Sequence, residues 1–325
     1  MAGNTFYAQK SANQRNSLLM AGFVVLLLGL LGFSIGYAMF GSAAGGAGVT
    51  LFALSLGVMS GIGTYFQGDK LVLAVSQAKP VDPASAPQLM NVIQELCIAA
   101  NIPMPAVYTI DDTAPNAFAT GRDPAHASIA ITTGLLEKLD REELQGVIGH
   151  ELSHVRNLDI RFSLVVGVMV GAIALLADFF VRFSFWGGMR RSRNDSGGNG
   201  GGAQAAFAIV ALILAILAPI ISRFIQLAVS RQREYLADAS SVELTRNPHG
   251  LESALAKLAS DNEPLHSVNG ATQHLYIVNP LKKLGGGSEL FSTHPPIVDR
   301  INRLRALTGE APMDPAETRQ LTGLE

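Results

Sequence analysis

The sequence predicts a mainly α-helical membrane protein that carries a cytoplasmic α+β domain with a small β-sheet. Three observations lead there. Charged residues make up only 15% of the 325-residue chain, against roughly 25% in an ordinary soluble domain. Four long runs are apolar and almost free of charge. Between and after them lie amphipathic helical segments and three short β-prone runs.

Residues 17–40, "SLLMAGFVVLLLGLLGFSIGYAMF", hold no charge and exceed the ~20 residues that span a bilayer core of about 30 Å. The run is also longer than the roughly 15 residues of a signal-peptide core, so it reads as an uncleaved anchor. Residues 48–66 form a second span. Lys10 and Arg15 precede the first span, whereas the loop between the two is uncharged. The positive-inside rule therefore puts the N-terminus, and the chain from Gln67 onward, in the cytoplasm.

Residues 67–159 form the first part of the cytoplasmic domain. Leu89, Val92, Ile93, Leu96 and Cys97 recur at helical spacing within 84–100. Cys97 is the single cysteine, so an intrachain disulfide is impossible, and its place is the inner face of that helix. The runs 106–111, 116–121 and 127–132 are β-prone and separated by turn residues, which predicts a small sheet. Asp140 followed by Glu143 is a capping-box signature that opens the next helix. Ile148, Leu152 and Val155 give it a buried stripe.

Residues 160–230 make a second hydrophobic hairpin, with spans at 162–181 and 205–222. Pro219 inside the last is tolerated in membrane helices, and Asp178 reads as an interfacial residue at a span's edge. The connection carries Arg182, Arg190, Arg191 and Arg193 and then the linker "NDSGGNGGGAQ" (194–204). Four arginines on the outer side oppose the positive-inside rule, so the hairpin either violates it or does not fully cross. In both cases residues 67–158 and 231–325 share one side. Residues 231–325 complete the cytoplasmic domain. A net charge of −2 leaves no basic field for nucleic acid.

The chemistry is concentrated in "VIGHELSHVRNLDI" (147–160). His150 and His154, four apart on a helix, project from one face about 6 Å apart along the axis. Two imidazoles so placed can converge on one zinc ion, about 2.0–2.1 Å from each nitrogen. Glu151 points about 100° away around the axis, where a carboxylate can take a proton from a water the ion activates. The plain alternative is two helix histidines paired with carbonyls. A catalytic zinc needs a third ligand and leaves its fourth position to water. "SRQREYLADASSVEL" (230–244) supplies Glu234 as that ligand. Asp238, one turn on, would orient a ligand histidine through its other ring nitrogen. The competing reading is an acidic face paired with Arg231 and Arg233.

"HELSHVRNLD", "REYLADA" and "FSTHPPIVDRINRL" (291–304), in this order around paired membrane segments, resemble the HtpX-type membrane zinc endopeptidases, bacterial heat-shock proteases related to the CAAX prenyl endopeptidases. The resemblance covers nearly the whole chain. It implies a gluzincin-like zinc metalloprotease domain with one zinc per chain on His150, His154 and Glu234, and Glu151 as base. It further implies protein substrates, damaged or misassembled membrane proteins, cut at the cytoplasmic face of the bacterial inner membrane in stress-linked quality control. Asn116, Ala117, Phe118 and Ala119, in "PNAFATG", match the strand that pairs with an extended substrate by β-augmentation. His294 is open between an oxyanion donor and a histidine that fixes the loop before its two prolines. Arg300 is a candidate contact for Asp238. Two rivals are a non-catalytic zinc-stabilised membrane chaperone or assembly factor and a narrow-specificity CAAX-type processing protease. The first has no need of Glu151, and the second usually has more spans than four.

Overall fold

The computed structural model describes residues 6–185, 201–261, 263–265, 276–277 and 294–322. Its elements are, in order, α1 (Phe6–Phe40), α2 (Ala43–Val75), β1 (Lys79–Pro80), α3 (Pro87–Ala100), β2 (Ala106–Ile110), β3 (Ala117–Gly121) and β4 (Ala127–Thr132). There follow α4 (Thr133–Lys138), α5 (Arg141–Arg156), α6 (Asp159–Phe185), α7 (Gly201–Thr245), α8 (Pro248–Ser260), α9 (Ile297–Thr308) and α10 (Pro315–Thr322). The chain divides into two compact units, one of residues 1–10, 65–162 and 230–325, the other of residues 11–64 and 163–229.

Four helices, α1, α2, α6 and α7, contain segments long and apolar enough to cross a membrane. Each extends beyond the apolar run that predicted it. Polar flanks continue a helix because its backbone hydrogen bonds do not depend on apolar side chains. In this unit Val24, Leu28, Leu31, Ile35, Ile173, Phe180, Ala211 and Ala218 are buried together. Leu18, Leu51, Phe52, Met59, Leu175 and Ile209 stay more than half exposed. An apolar exterior this extensive suits lipid and is foreign to a soluble monomer. The backbones of α1 and α2 meet where Gly36 lies against Gly45 and Gly46, in a contact that a Cβ on Gly36 would block. Asp178 is paired with Arg182 one turn away at 2.7 Å. Of the predicted linker, residues 194–200 fall outside the described residues. Gly201–Gln204 instead begin α7, where the Gln204 side chain donates to the Ala38 carbonyl at 3.0 Å.

In the other unit the sheet order is β1-β2-β4-β3. β2 and β4 are parallel, and β3 is antiparallel to β4, with Ala119 opposite Ile129. The three predicted strands are all present. The two-residue β1, antiparallel to β2, was not predicted. Every residue of β4 is buried, as befits a strand covered on both faces, while β3 forms one border of the sheet. α5 packs against β3, and α3 and α8 pack on α5, in one core that includes Leu89, Ile93, Cys97, Ile129, Ile148, Leu152, Leu251 and Leu255. Burial in that core pushes the Cys97 thiol up to about 11, in keeping with an inert packing residue.

The capping box forms as predicted. Asp140 accepts from the backbone N–H of Glu142 and Glu143, and Glu143 Oε2 accepts from Asp140 N at 2.9 Å. Glu143 also accepts from Lys257 Nζ at 2.7 Å and Ser253 Oγ at 2.6 Å, which fastens α8 to the start of α5. Further along, Gly146 lets the backbone of Leu251 approach so closely that a Cβ would lie 2.6 Å from Leu251 N. The carbonyl of Gly146 accepts from Ser241 Oγ of α7 at 2.7 Å. Gly146→Ala is therefore expected to cost about 1–3 kcal/mol, the usual penalty of overpacking. Thermal unfolding in detergent would register it as a fall of roughly 2–12 °C.

Candidate metal centre

α5 brings His150, Glu151 and His154 to one end of the core, and α7 lays Glu234 and Asp238 against them. Within this group the Nε2 atoms of His150 and His154 are 3.2 Å apart. Glu234 Oε2 lies 3.6 Å from His150 Nε2, and Glu234 Oε1 lies 3.4 Å from His154 Nε2. His150 and Glu234 are buried and His154 is partly buried.

The other ring nitrogens are already committed. His150 Nδ1 meets Asp238 Oδ1 at 2.9 Å, and His154 Nδ1 meets Asp159 Oδ2 at 3.1 Å. An imidazole that donates from Nδ1 presents a lone pair at Nε2. Two such lone pairs and a carboxylate thus converge on one point, an arrangement that requires a proton or a cation among them. A tetrahedral ion with ligand bonds of about 2.0–2.2 Å separates its donors by about 3.3–3.6 Å. The two spacings to Glu234, one to each of its carboxylate oxygens, fall in that range and the 3.2 Å between the two rings lies just below it, so the donor set fits zinc.

Electrostatics point the same way. Burial acts to lower both histidines, but Asp238 and Glu234 raise His150, and Asp159 and Glu234 lift His154 well above the ordinary imidazole value. Burial acts to raise Glu234, yet His294, His150 and His154 around it hold its carboxyl well below the usual range. Asp238, also buried, is held low chiefly by the Arg300 charge. Burial pushes Glu151 up, against the opposing pull of His150 and His154, while the Ala119 N–H donates to its carboxylate. Glu151 therefore lies between α5 and β3, beside the donor cluster.

Each histidine is backed by a carboxylate, and each carboxylate by a buried arginine. Arg300 grips Asp238 with two parallel bonds, Nε to Oδ2 at 2.9 Å and Nη2 to Oδ1 at 2.7 Å. Its Nη1 is 3.5 Å from Glu234 Oε2. The sequence-predicted contact between Arg300 and Asp238 is therefore present. Arg233 Nη1 lies 3.1 Å from Asp159 Oδ1 and donates to the Asp159 carbonyl at 2.7 Å. Asp159 and Arg233 were missed as site residues. The chain turns through Leu158 at φ +58° after α5 ends, and this left-handed residue carries Asp159 back toward His154. Asp159→Ala is expected to weaken metal binding about 10–100-fold, as loss of an orienting partner commonly does. Competition with a chromogenic chelator would measure it.

His294 places Nδ1 3.0 Å from Glu234 Oε2, so it touches the carboxylate proposed as ligand. Asn116, Ala117, Phe118 and Ala119 are all buried in or beside β3. A second grouping, His249, Glu252 and Glu310, is largely solvent-exposed. Its carboxylates are taken up by Arg305 at 2.7 Å and Thr308 at 2.7 Å.

Residues 83–308 match the model of peptidase family M48. The chain is 44% identical over 301 residues to a protein named Protease HtpX homolog from Streptococcus thermophilus (strain CNRZ 1066), covering 93% of this chain and 99% of that one. A protein of the same name from Thermoanaerobacter pseudethanolicus is 43% identical over 312 residues, covering 95% and 100%. Among solved structures, the crystal structure of S. mikatae Ste24p aligns with a TM-score of 0.50 at 19% identity, covering 92% of this chain and 67% of that one. That likeness concerns the fold. The range matched by the family model spans the positions of the histidine pair, Glu234 and the His-Pro-Pro segment. This chain belongs to peptidase family M48, and within it to the HtpX-type membrane metalloproteases.

Proposed function

We propose that this protein is a zinc endopeptidase that cuts misfolded or damaged membrane proteins at the cytoplasmic face of the bacterial inner membrane. The observation that carries the reading is the convergence of His150, His154 and Glu234 on one point beside the buried carboxylate of Glu151. When bound there, zinc supplies Lewis acidity that polarises a scissile carbonyl and acidifies water toward neutrality.

The chain's own residues do the rest. Glu151 takes the proton of the attacking water and passes it to the leaving amine. Its burial, by raising its pKa toward the operating pH, suits that exchange. Asp238 and Asp159 fix the ring orientation of the ligand histidines. β3 offers backbone groups to an extended chain, a sequence-tolerant mode of binding that suits unfolded substrates. The cytoplasmic assignment is supported by Lys10 and Arg15 ahead of the first span.

The test uses the full-length protein in detergent. Elemental analysis is expected to find about one zinc per chain, and Glu234→Ala should lose it. Casein and an unfolded membrane protein should be cut by the zinc form, spared in chelator, and cut again when zinc is restored. Cleavage that continues undiminished in chelator would overturn the reading. Thiol labelling of single cysteines in sealed vesicles would check the orientation.

A further inference from the structure

The two ligand histidines are held by unlike devices. His150 is backed by Asp238, one turn beyond Glu234 on α7, and through it by Arg300 of α9. His154 is backed by Asp159, five residues on and the first of α6, and through it by Arg233. Arg233 immediately precedes Glu234 on α7. Sequence alone lets it pair with the acidic face of its own helix, but the side chain crosses to α6.

The weak point of the second device is its backbone. Leu158 adopts φ +58°, a conformation that is costly for residues with a Cβ and rare for bulky ones. Such conformations persist only where their surroundings over-determine them. The Leu158 side chain adds little restraint, being 40% exposed. Its N–H donates to the Val155 carbonyl at 3.2 Å, a bond that lies before the rotated torsions and leaves them free. Ile160 rests on the core, an apolar contact without directional demand.

Directional bonds come from Arg233. Its Nη1 donates to the Asp159 carbonyl at 2.7 Å and lies 3.1 Å from Asp159 Oδ1. One guanidinium therefore fixes both the backbone and the side chain of the residue that follows the turn. Arg233 and Asp159 are both buried, where such bonds are stronger than in water.

We infer that Arg233 is a positioning residue of the metal centre: it holds the left-handed turn at Leu158, and so keeps Asp159 on His154 Nδ1 and His154 Nε2 aimed into the donor cluster. Without Arg233, the turn relaxes toward an ordinary leucine conformation and Asp159 leaves the imidazole. His154 is then oriented for the metal only part of the time, and apparent affinity falls by that fraction. The turn of α7 that supplies one ligand thus also secures another. The inference rests on the reading of His150, His154 and Glu234 as a metal centre, and adds to it the residue that holds one of them in place.

The test uses full-length protein in detergent, with Zn2+ for affinity and Co2+ for its visible spectrum. In chelator competition Arg233→Gln is expected to weaken zinc binding about 10–100-fold, the usual worth of an orienting partner. Arg233→Lys, which keeps the charge but loses the fork, should fall between that variant and the wild type. With Co2+ at saturation, Arg233→Gln should alter the visible bands, because a displaced ring changes the ligand geometry. Asp159→Asn should alter them in the same way.

The deciding comparison is made in a Leu158→Gly background. Glycine takes a positive φ without penalty, so Arg233→Gln should cost up to about tenfold less there than beside Leu158. Folded Arg233→Gln with wild-type affinity and Co2+ bands would overturn the inference, even if it melted earlier. A loss of equal size in both backgrounds would also overturn it, by reducing Arg233 to a charge partner. If Arg233→Gln does not fold, Arg233→Lys is compared across the two backgrounds and read in the same manner. In each of these cases zinc on the wild type leaves the metal centre standing. A wild type that binds no zinc would overturn both.

Discussion

Glu151→Gln is expected to cut turnover of casein about 10²–10⁴-fold, the range assigned to general acid–base catalysis, with zinc content unchanged. The substitution keeps the shape of the side chain and an oxygen that can still accept from Ala119 N–H, but it cannot carry a proton. Glu151 is not one of the three converging donors, so the metal should remain. Measuring zinc per chain beside kcat separates the two functions. Wild-type turnover by the variant would place the base elsewhere. Loss of zinc together with activity would make Glu151 part of the donor set. A chaperone that used the metal only for stability would show no difference at all.

The second large effect is expected at Arg300, and it is on stability. This guanidinium is essentially inaccessible to solvent, sits in two charge-assisted bonds with Asp238, and lies near Glu234. Arg300→Met would leave Asp238 as a buried carboxylate deprived of its counter-charge. Breaking a buried pair in this way typically costs about 3–5 kcal/mol. In a unit of about 200 residues that corresponds to a fall in thermal midpoint of roughly 6–20 °C. Adding Asp238→Asn to Arg300→Met should recover part of the loss, because the stranded charge disappears. If Arg300→Met melts like the wild type, the pair is dispensable to the fold.

Much of the centre is legible in sequence because its geometry is local. His150, Glu151 and His154 sit within five residues of one helix, and Glu234 and Asp238 are one turn apart on another, so helical spacing alone places them on faces. The capping box at Asp140 and Glu143 is equally local, and the structure forms it. What escapes the sequence depends on nonlocal closure or on a single backbone angle. Asp159 reaches His154 only because Leu158 adopts a left-handed conformation, which no residue preference at leucine foretells. Ile277 reaches Ala117 across 160 residues of chain, with no periodicity to announce it. β1 is two residues long and exists by virtue of pairing with β2. α7 reads as a span ending near Ser222, yet it runs unbroken to Thr245, since the polar residues that close an apolar window do not close a helix.

The ordering of the centre along the chain also sets a clock. The contact between Arg300 and His150 joins residues 150 apart in sequence, and the two donor-bearing helices are separated by the whole of the second hydrophobic pair. At a synthesis rate of roughly 5–20 residues per second, about 8–30 s pass between the making of His150 and the making of Arg300. During that interval the nascent chain holds the histidine pair and Glu151 but first lacks Glu234 and then the guanidinium that steadies Asp238. On the proposed reading the growing chain is therefore an unarmed precursor, which gains its full centre only when the C-terminal part has folded back onto α5.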